Sequence, residues 1–291
     1  MKKHALLICF IISSTVFSQV NFEKMQREYD SLRDATTYGN NKSAGRYYDI
    51  NGFKMYCEVY GSGEPLLFIH GNGGSIKDFV KQIPYFSKKY KVIVADSRAQ
   101  GKSLDKGQAL TYEMMADDYA ELLTKIGIDS VNVVGWSDGG INALLLTMRH
   151  PNKVKKLIVT GANLRPDTTA VEPDVIAIVQ KPYSMLKEKK DKNEEENTVF
   201  KYLKLLLEQP NIPVESLHQI KIPALIIGGD HDVIRPKHTL EIFENIEKSN
   251  LWLLPNSGHS TLVVYTDEFN KKLEEFLKSP YRTIEKRTRF F

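Results

Sequence analysis

A serine between two glycines carries the strongest chemical signal in the sequence. Residues 135–139 read Gly-Trp-Ser-Asp-Gly, directly after the apolar run Val131–Val134 and directly before a helix-prone stretch. On a tight turn from strand to helix the neighbouring side chains must be small, and the helix directs the positive end of its dipole at the hydroxyl. Without these flanks the motif would be a glycine-rich turn with an incidental serine. With them it predicts that Ser137 is a nucleophile that needs a neighbouring base.

A second glycine-rich segment suggests how negative charge on a reacting group is stabilised. Residues 70–74 read His-Gly-Asn-Gly-Gly and follow the apolar run Leu66–Ile69. Glycines let the backbone approach a ligand closely. We expect the backbone N–H groups of Asn72 and Asp138 to donate to the oxyanion of a tetrahedral intermediate. The residues predicted to line the oxyanion and substrate position are Gly71, Asn72, Trp136 and Asp138.

Two other readings of this segment are weaker. His70 is expected to brace the loop rather than to take part in catalysis. The spacing of the glycines matches neither a P-loop nor a dinucleotide-binding fingerprint, so a phosphate-binding loop is not favoured.

Acids and a histidine follow two later apolar runs. Asp230 and Asp232 come after Ala224–Ile227, and His259 comes after Leu251–Leu254. The chain order is therefore serine, acid, histidine, with each residue at the carboxyl end of a predicted strand. In such a set the histidine takes the proton of the serine, and the acid holds the imidazole in the correct tautomer.

The elements that must position these residues alternate between strand and helix. Asn51-Gly52 joins two short strand-like runs and is a strong hairpin signal. Apolar runs without alternation suit strands buried on both faces of a parallel sheet. These runs are Leu66–Ile69, Val92–Ala95, Val131–Val134, Leu157–Thr160, Ala224–Ile227 and Leu251–Leu254. Helical spacing is clearest over Thr111–Ile126 and recurs over Asn142–His150 and Thr266–Leu277. The pattern predicts a mostly parallel, doubly wound α/β domain with its site at the carboxyl ends of the strands.

One segment interrupts the alternation. Residues 164–217 contain no good strand but two helix-prone stretches around a polar run, and we interpret them as a small helical cap inserted between core segments 45–163 and 218–279. The cap offers apolar side chains that could line a pocket or form its own core. These are Tyr183, Met185, Phe200 and Tyr202.

The termini have a different composition. Residues 1–18 combine two lysines, an apolar run and small or polar residues, which is the layout of a secretory signal peptide. The run is too short and too quickly polar for a membrane span. A polar leader follows at 19–44, either packed on the domain or free, and a basic tail occupies 280–291. After cleavage Cys57 is the remaining cysteine, so no internal disulfide is expected in the exported protein.

Composition narrows the class of partner. The 40 basic and 36 acidic residues are mostly interleaved and give a formal charge of +4, which favours neither a nucleic-acid surface nor an acidic partner. With 291 residues, of which 42% are hydrophobic, the chain is long enough for one large domain with an insertion. We expect a small-molecule substrate, of the ester type implied by the family resemblance described below, and no cofactor. The sequence does not indicate the oligomeric state.

The cluster Asp230, His231 and Asp232 is not expected to bind a metal, because no further clustered ligands follow.

These loops together resemble the α/β-hydrolase superfamily, in its branch of small carboxylesterases, enol-lactonases and carbon–carbon hydrolases. The resemblance runs from about Tyr47 to Leu277. It includes residues 96–103, which resemble that branch's D-x-R-G-x-G-x-S loop with Ala99 at a usual glycine position. It implies that the orienting acid is Asp232, four residues before Pro236, and that Asp230 is a turn residue.

The resemblance implies a serine hydrolase that cleaves a small ester through an acyl-enzyme, and the predicted signal peptide implies that this hydrolase is exported. A serine at the elbow argues against the haloalkane dehalogenases and epoxide hydrolases of this fold, which use aspartate there. Two alternatives stay open. One is a carbon–carbon hydrolase or enol-lactonase with the same three residues, and the other is a non-catalytic ligand-binding protein of this fold.

Overall fold

An eight-stranded sheet forms the centre of the molecule in the computed structural model, which describes residues 22–107 and 109–284. The predicted signal peptide and most of the basic tail lie outside the described residues. The strands are β1 Gly45–Ile50, β2 Phe53–Tyr60, β3 Glu64–Ile69, β4 Tyr90–Ala95, β5 Val131–Trp136, β6 Val154–Thr160, β7 Ala224–Gly229 and β8 Ser249–Leu254. All of the predicted runs are strands, extended by up to three residues at an end.

Helices flank the sheet. In the described part of the chain they are α1 Phe22–Ala35, α2 Ile83–Phe86, α3 Tyr112–Lys125, α4 Asp138–Arg149, α5 Pro173–Glu188, α6 Glu194–Glu208, α7 Pro236–Glu244, α8 Thr261–Val264 and α9 Thr266–Lys278. The three helices predicted from apolar spacing correspond to α3, α4 and α9. Among the described residues, no helix is long and apolar enough to cross a membrane.

The strand order is β1-β2-β4-β3-β5-β6-β7-β8, antiparallel from β1 to β4 and parallel from β4 to β8. The connection from β3 goes to one side, to β4, while β5 lies on its other side. This reversal opens a crevice at the carboxyl ends of β3 and β5, where Ile69 pairs with Gly135. The glycine-rich loop and the serine turn therefore leave the sheet side by side. The doubly wound fold predicted from the sequence is confirmed.

Side chains on both faces of the sheet are buried, which explains why the strands show no alternation. On β3, Leu67 and Ile69 belong to one hydrophobic core cluster, whereas Leu66 and Phe68 belong to the cluster on the opposite face. The hairpin at the sheet edge has positive φ at Asn51 and Gly52, 40° and 90°, as a two-residue turn of the primed type requires.

The polar leader, for which the sequence left two possibilities, packs on the domain. Its helix α1 places Tyr29, which is 5% exposed, against the turn after β3, where the Tyr29 hydroxyl donates to the carbonyl of Asp78 at 2.8 Å. Arg33 of the same helix forms a 2.6 Å ion pair with the Asp78 carboxylate.

Helices α5 and α6 lie between β6 and β7, within the segment interpreted as a cap. Their contact includes the Tyr183 and Phe200 rings, stacked with centroids 5.5 Å apart. Met185 is 66% exposed and is therefore not part of a buried core. Helix α6 reaches the core through Tyr202, whose hydroxyl donates to the Ala99 carbonyl. The boundaries 164 and 217 stay predictions.

Candidate active site

Ser137 lies on a strained turn between β5 and α4. Its φ and ψ are 57° and −123°, a region that L-residues rarely occupy. The backbone N–H of Ser137 donates to Thr160 O at 2.9 Å, which fixes the turn to the neighbouring strand. A Cβ at Gly135 would collide with the Gly139 carbonyl, and a Cβ at Gly139 would collide with Ile69 O. Close backbone packing therefore requires both glycines of the motif.

His259 lies between the serine and an acid. Its Nε2 is 2.9 Å from Ser137 Oγ, and its Nδ1 is 2.6 Å from Asp232 Oδ1. A carboxylate only accepts hydrogen bonds, so Nδ1 carries the proton and Nε2 is free to accept from the serine hydroxyl. This is the geometry in which an imidazole acts as a general base on a hydroxyl.

The surroundings of His259 favour its protonated form. Burial alone would lower the pKa of the imidazole. The negative charge of Asp232 and the hydrogen bond from Nδ1 outweigh burial, so the pKa of His259 is raised above 6.5. Asp232 is itself buried, and its Oδ1 also accepts the N–H of Ile234 at 3.1 Å. Hydrogen bonds from His259 and from the Ile234 backbone thus hold the Asp232 carboxylate in position.

The two acids after β7 have different environments. The Asp230 carboxylate accepts the N–H groups of Asn256 and Ser257 at 2.9 and 3.0 Å and contacts His231, and these bonds lower its pKa to about 2. Asp230 therefore ties the loop that carries His259 to the end of β7. Of the two acids, Asp232 is the one that contacts the imidazole of His259.

The glycine-rich loop after β3 lies against the serine turn. A Cβ added at Gly71 would lie 3.1 Å from Ser137 Cβ, so glycine permits this close approach. The Asn72 side chain bridges the two segments, because its Nδ2 donates to Asp138 Oδ2 at 2.8 Å. Both ring nitrogens of His70 form hydrogen bonds with backbone groups. Nδ1 bonds Gly71 O at 2.8 Å, and Nε2 accepts the N–H of Ser97 at 2.9 Å. These contacts match the bracing role expected for His70.

The Asp138 side chain, which follows Ser137 in the chain, is buried. Burial raises its pKa to about 6, while hydrogen bonds from Asn72 and from the buried hydroxyl of Tyr112 oppose that rise. Tyr112, at the start of α3, was not a candidate from the sequence, where it belongs simply to a helical pattern.

Trp136 and Gly161 shape the position of the histidine. The indole N–H of Trp136, predicted to line the substrate position, donates to the His259 carbonyl at 3.0 Å. Gly161 follows β6 with φ 64°, and a Cβ there would lie 2.8 Å from His259 Cε1. The sequence reasoning missed Gly161, although a glycine directly after a strand at this edge was a usable signal.

The described residues contain no group of three or more His, Cys, Asp or Glu side chains arranged to hold a metal ion.

Comparisons with known proteins agree with this architecture. Residues 64–200 match the family model for the alpha/beta hydrolase fold. The chain is 29% identical to serine hydrolase BPHL of Mus musculus over 251 residues, covering 79% of this chain and 84% of that protein. It is 26% identical to the pimeloyl acyl-carrier-protein methyl ester esterase of Legionella pneumophila over 245 residues, covering 77% of this chain and 99% of that protein.

Solved structures resemble the protein over most of its length. An esterase from Thermogutta terrifontis superimposes with a TM-score of 0.67 at 20% identity, covering 80% of this chain and 98% of that chain. The enol-lactonase from Burkholderia xenovorans gives 0.65 at 20% identity, covering 80% and 100%. The sheet order, the match of residues 64–200 to the family model and the similarity to these solved structures together show that the chain has the α/β-hydrolase fold.

Proposed function

We propose that the protein is an exported serine hydrolase that cleaves a small ester-type substrate through an acyl-enzyme on Ser137. The observation that carries the proposal is the continuous contact from Ser137 Oγ to His259 to Asp232, at 2.9 and 2.6 Å. It supplies an activated nucleophile, a base and an orienting acid in one place.

The reaction follows from these roles. His259 Nε2 takes the hydroxyl proton while Ser137 Oγ attacks the carbonyl carbon, and the backbone N–H groups of Asn72 and Asp138 stabilise the oxyanion. The protonated imidazole then gives its proton to the leaving alcohol, and the acyl group stays on Ser137. A water molecule, deprotonated by His259, attacks the acyl-enzyme and releases the acid.

An ester is the preferred substrate class for two reasons. The chain is similar over most of its length to a serine hydrolase and to a methyl ester esterase. The three residues also need no cofactor for acyl transfer to water. Export is supported by the composition of residues 1–18 alone.

Purified protein should hydrolyse short-chain p-nitrophenyl esters. The Ser137→Ala variant should lose about 10³-fold or more of kcat, because no nucleophile remains. Hydrolysis by the alanine variant at the parent rate would remove Ser137 from the mechanism.

A parallel panel of enol-lactones and ring-cleavage products separates the alternatives. Strong activity on these compounds with weak ester hydrolysis, both dependent on Ser137, would assign lactone or carbon–carbon cleavage instead.

A further inference from the structure

The Asp138 side chain has no part in the reaction as proposed, which uses only the backbone N–H of this residue. Yet the carboxylate is 3% exposed and adjacent in sequence to the nucleophile. A buried carboxylate is costly unless hydrogen bonds satisfy it. Its partners therefore indicate what the protein gains by keeping it there.

Side chains from two other segments interact with this carboxylate. Asn72 Nδ2 donates to Oδ2 at 2.8 Å from the loop after β3, and the buried Tyr112 hydroxyl interacts with the carboxylate from the start of α3. Tyr112 is 1% exposed, so the carboxylate is fixed against the core. The bond to Asn72 joins the two segments whose backbone N–H groups are the proposed oxyanion donors.

Elsewhere in the loop that carries Asn72, the Gly74 N–H and the His70 ring bond the carbonyl of Gly71, at 3.1 and 2.8 Å, and not the backbone of Asn72. Glycines precede and follow Asn72 at positions 71, 73 and 74, and Gly73 has a φ of 65°. Such a segment has many accessible backbone conformations. An oxyanion site contributes to catalysis only when its donors are already in place, and a displacement of about 1 Å can cost about 100-fold in rate.

We propose that Asp138 is a positioning residue: its carboxylate holds the Asn72 side-chain amide and thereby fixes the Asn72 backbone N–H beside that of Asp138 for oxyanion binding. The inference rests on the proposed serine hydrolase function. It assigns a role to the carboxylate that the acyl-transfer steps do not require.

A double-mutant cycle in the full-length protein tests the proposal. Asn72→Ala and Asp138→Ala should each lower kcat on a p-nitrophenyl ester by about 10- to 100-fold, with KM within about two-fold. The double variant should be no slower than the slower single variant, because both substitutions remove one interaction. Asp138→Asn keeps one acceptor oxygen for the Asn72 amide and should recover much of the kcat lost in Asp138→Ala.

A matched control breaks the same kind of bond elsewhere. Asn51 Nδ2 donates to the buried carboxylate of Asp118 at 2.9 Å at the hairpin turn. Asn51→Gly removes that bond and tolerates the positive φ of the turn, so it should lower the melting temperature and leave kcat unchanged. Asn72 is only half-buried, so Asn72→Ala should fold even where Asp138→Ala does not.

The outcomes separate cleanly when Ser137→Ala is assayed beside the cycle. Inactivity of Ser137→Ala together with additive losses at Asn72 and Asp138 would overturn the positioning role and leave the proposed function standing. A kcat within two-fold of the parent for Asn72→Ala would also overturn it, as would an effect of Asp138→Ala confined to KM. Parent activity in Ser137→Ala would instead overturn the proposed function.

Discussion

Ser137, the proposed nucleophile, has a backbone conformation that destabilises the folded state. Its φ of 57° and ψ of −123° suit glycine and strain other residues by about 1–3 kcal/mol. Strain of this kind is stored where function needs a special geometry. The serine hydroxyl is thereby presented at the tip of the turn, towards His259.

A pair of substitutions measures this strain. Ser137→Gly relieves it, whereas Ser137→Ala keeps it and loses the same hydroxyl. After the extra conformational entropy of unfolded glycine is subtracted, the glycine variant should be more stable than the alanine variant by about 1 kcal/mol. Urea denaturation monitored by circular dichroism gives the difference. An alanine variant as stable as the glycine variant would show that the turn is unstrained.

The pH dependence of activity should report the titration of His259. The base must be neutral to accept a proton, and its raised pKa means that kcat/KM falls on the acid side with a midpoint above 6.5. Asp232→Asn removes the charge that raises this pKa and leaves burial, which lowers it. The midpoint should therefore move to lower pH, and kcat should fall about 10⁴-fold.

An uncharged p-nitrophenyl ester keeps the substrate from titrating in this measurement. An acid limb that stays at the same pH in the asparagine variant would assign the limb to another group, of which the Asp138 carboxyl is the nearest candidate.

Some of these residues were predicted from the sequence and others were not. Ser137 and His259 were placed by their position after buried strands, because periodicity identifies strands and strand ends share one edge of the sheet. Asp232 was separated from Asp230 by family resemblance alone, since two acids on one loop are equivalent until their hydrogen bonds are known. Tyr112 gave no signal, because a tyrosine in an apolar helical stripe is indistinguishable from a core residue.

At the scale of elements, helix α1 lies in the segment whose packing the sequence left undecided. Its stretch is polar, and the contact that fixes it joins Tyr29 and Arg33 to Asp78, far along the chain. Local patterns cannot reveal such a pair. By contrast, α3, α4 and α9 were predicted because each covers the sheet with an apolar face that recurs at helical spacing.

Loss of the α1 ion pair should destabilise the fold. Arg33→Met leaves the nearly buried Asp78 carboxylate without its 2.6 Å partner. Because Arg33 is partly exposed, we expect a loss of about 1–2 kcal/mol, below the value for a fully buried pair. Glu28→Gln is the control, since it removes only an exposed ion pair with Lys24 on the same helix and should change stability by less than about 0.5 kcal/mol. Equal urea midpoints for Arg33→Met and the parent would mean that α1 contributes nothing through Asp78.

At the scale of the whole molecule, the proposed catalytic residues come from loops after β3, β5, β7 and β8, gathered at one edge of a single sheet. Helix α6 reaches across to this edge through Tyr202, whose ring also lies beside Gly73. The sequence predicted an insertion here, because strand signals stop after β6 and resume at β7. The packing of this insertion against the core could not be predicted from the sequence, because it depends on contacts between residues far apart in the chain.

Export is a proposal about the full chain and can be tested on it. Expressed in a bacterial host, the protein should accumulate outside the cytoplasm with a new N-terminus near Ser18 and Gln19, identified by mass spectrometry. A chain that lacks residues 1–18 should stay in the cytoplasm. Recovery of the full-length protein in the cytoplasm with Met1 intact would contradict the signal peptide.

Labelling with a fluorophosphonate tests the central claim most directly, because the reagent modifies an activated serine whatever the natural substrate is. Mass spectrometry should place the label on the peptide that contains Ser137, and His259→Ala should slow labelling at least about 100-fold by removing the base. A label on another serine, or labelling of the His259→Ala variant at the parent rate, would contradict the account.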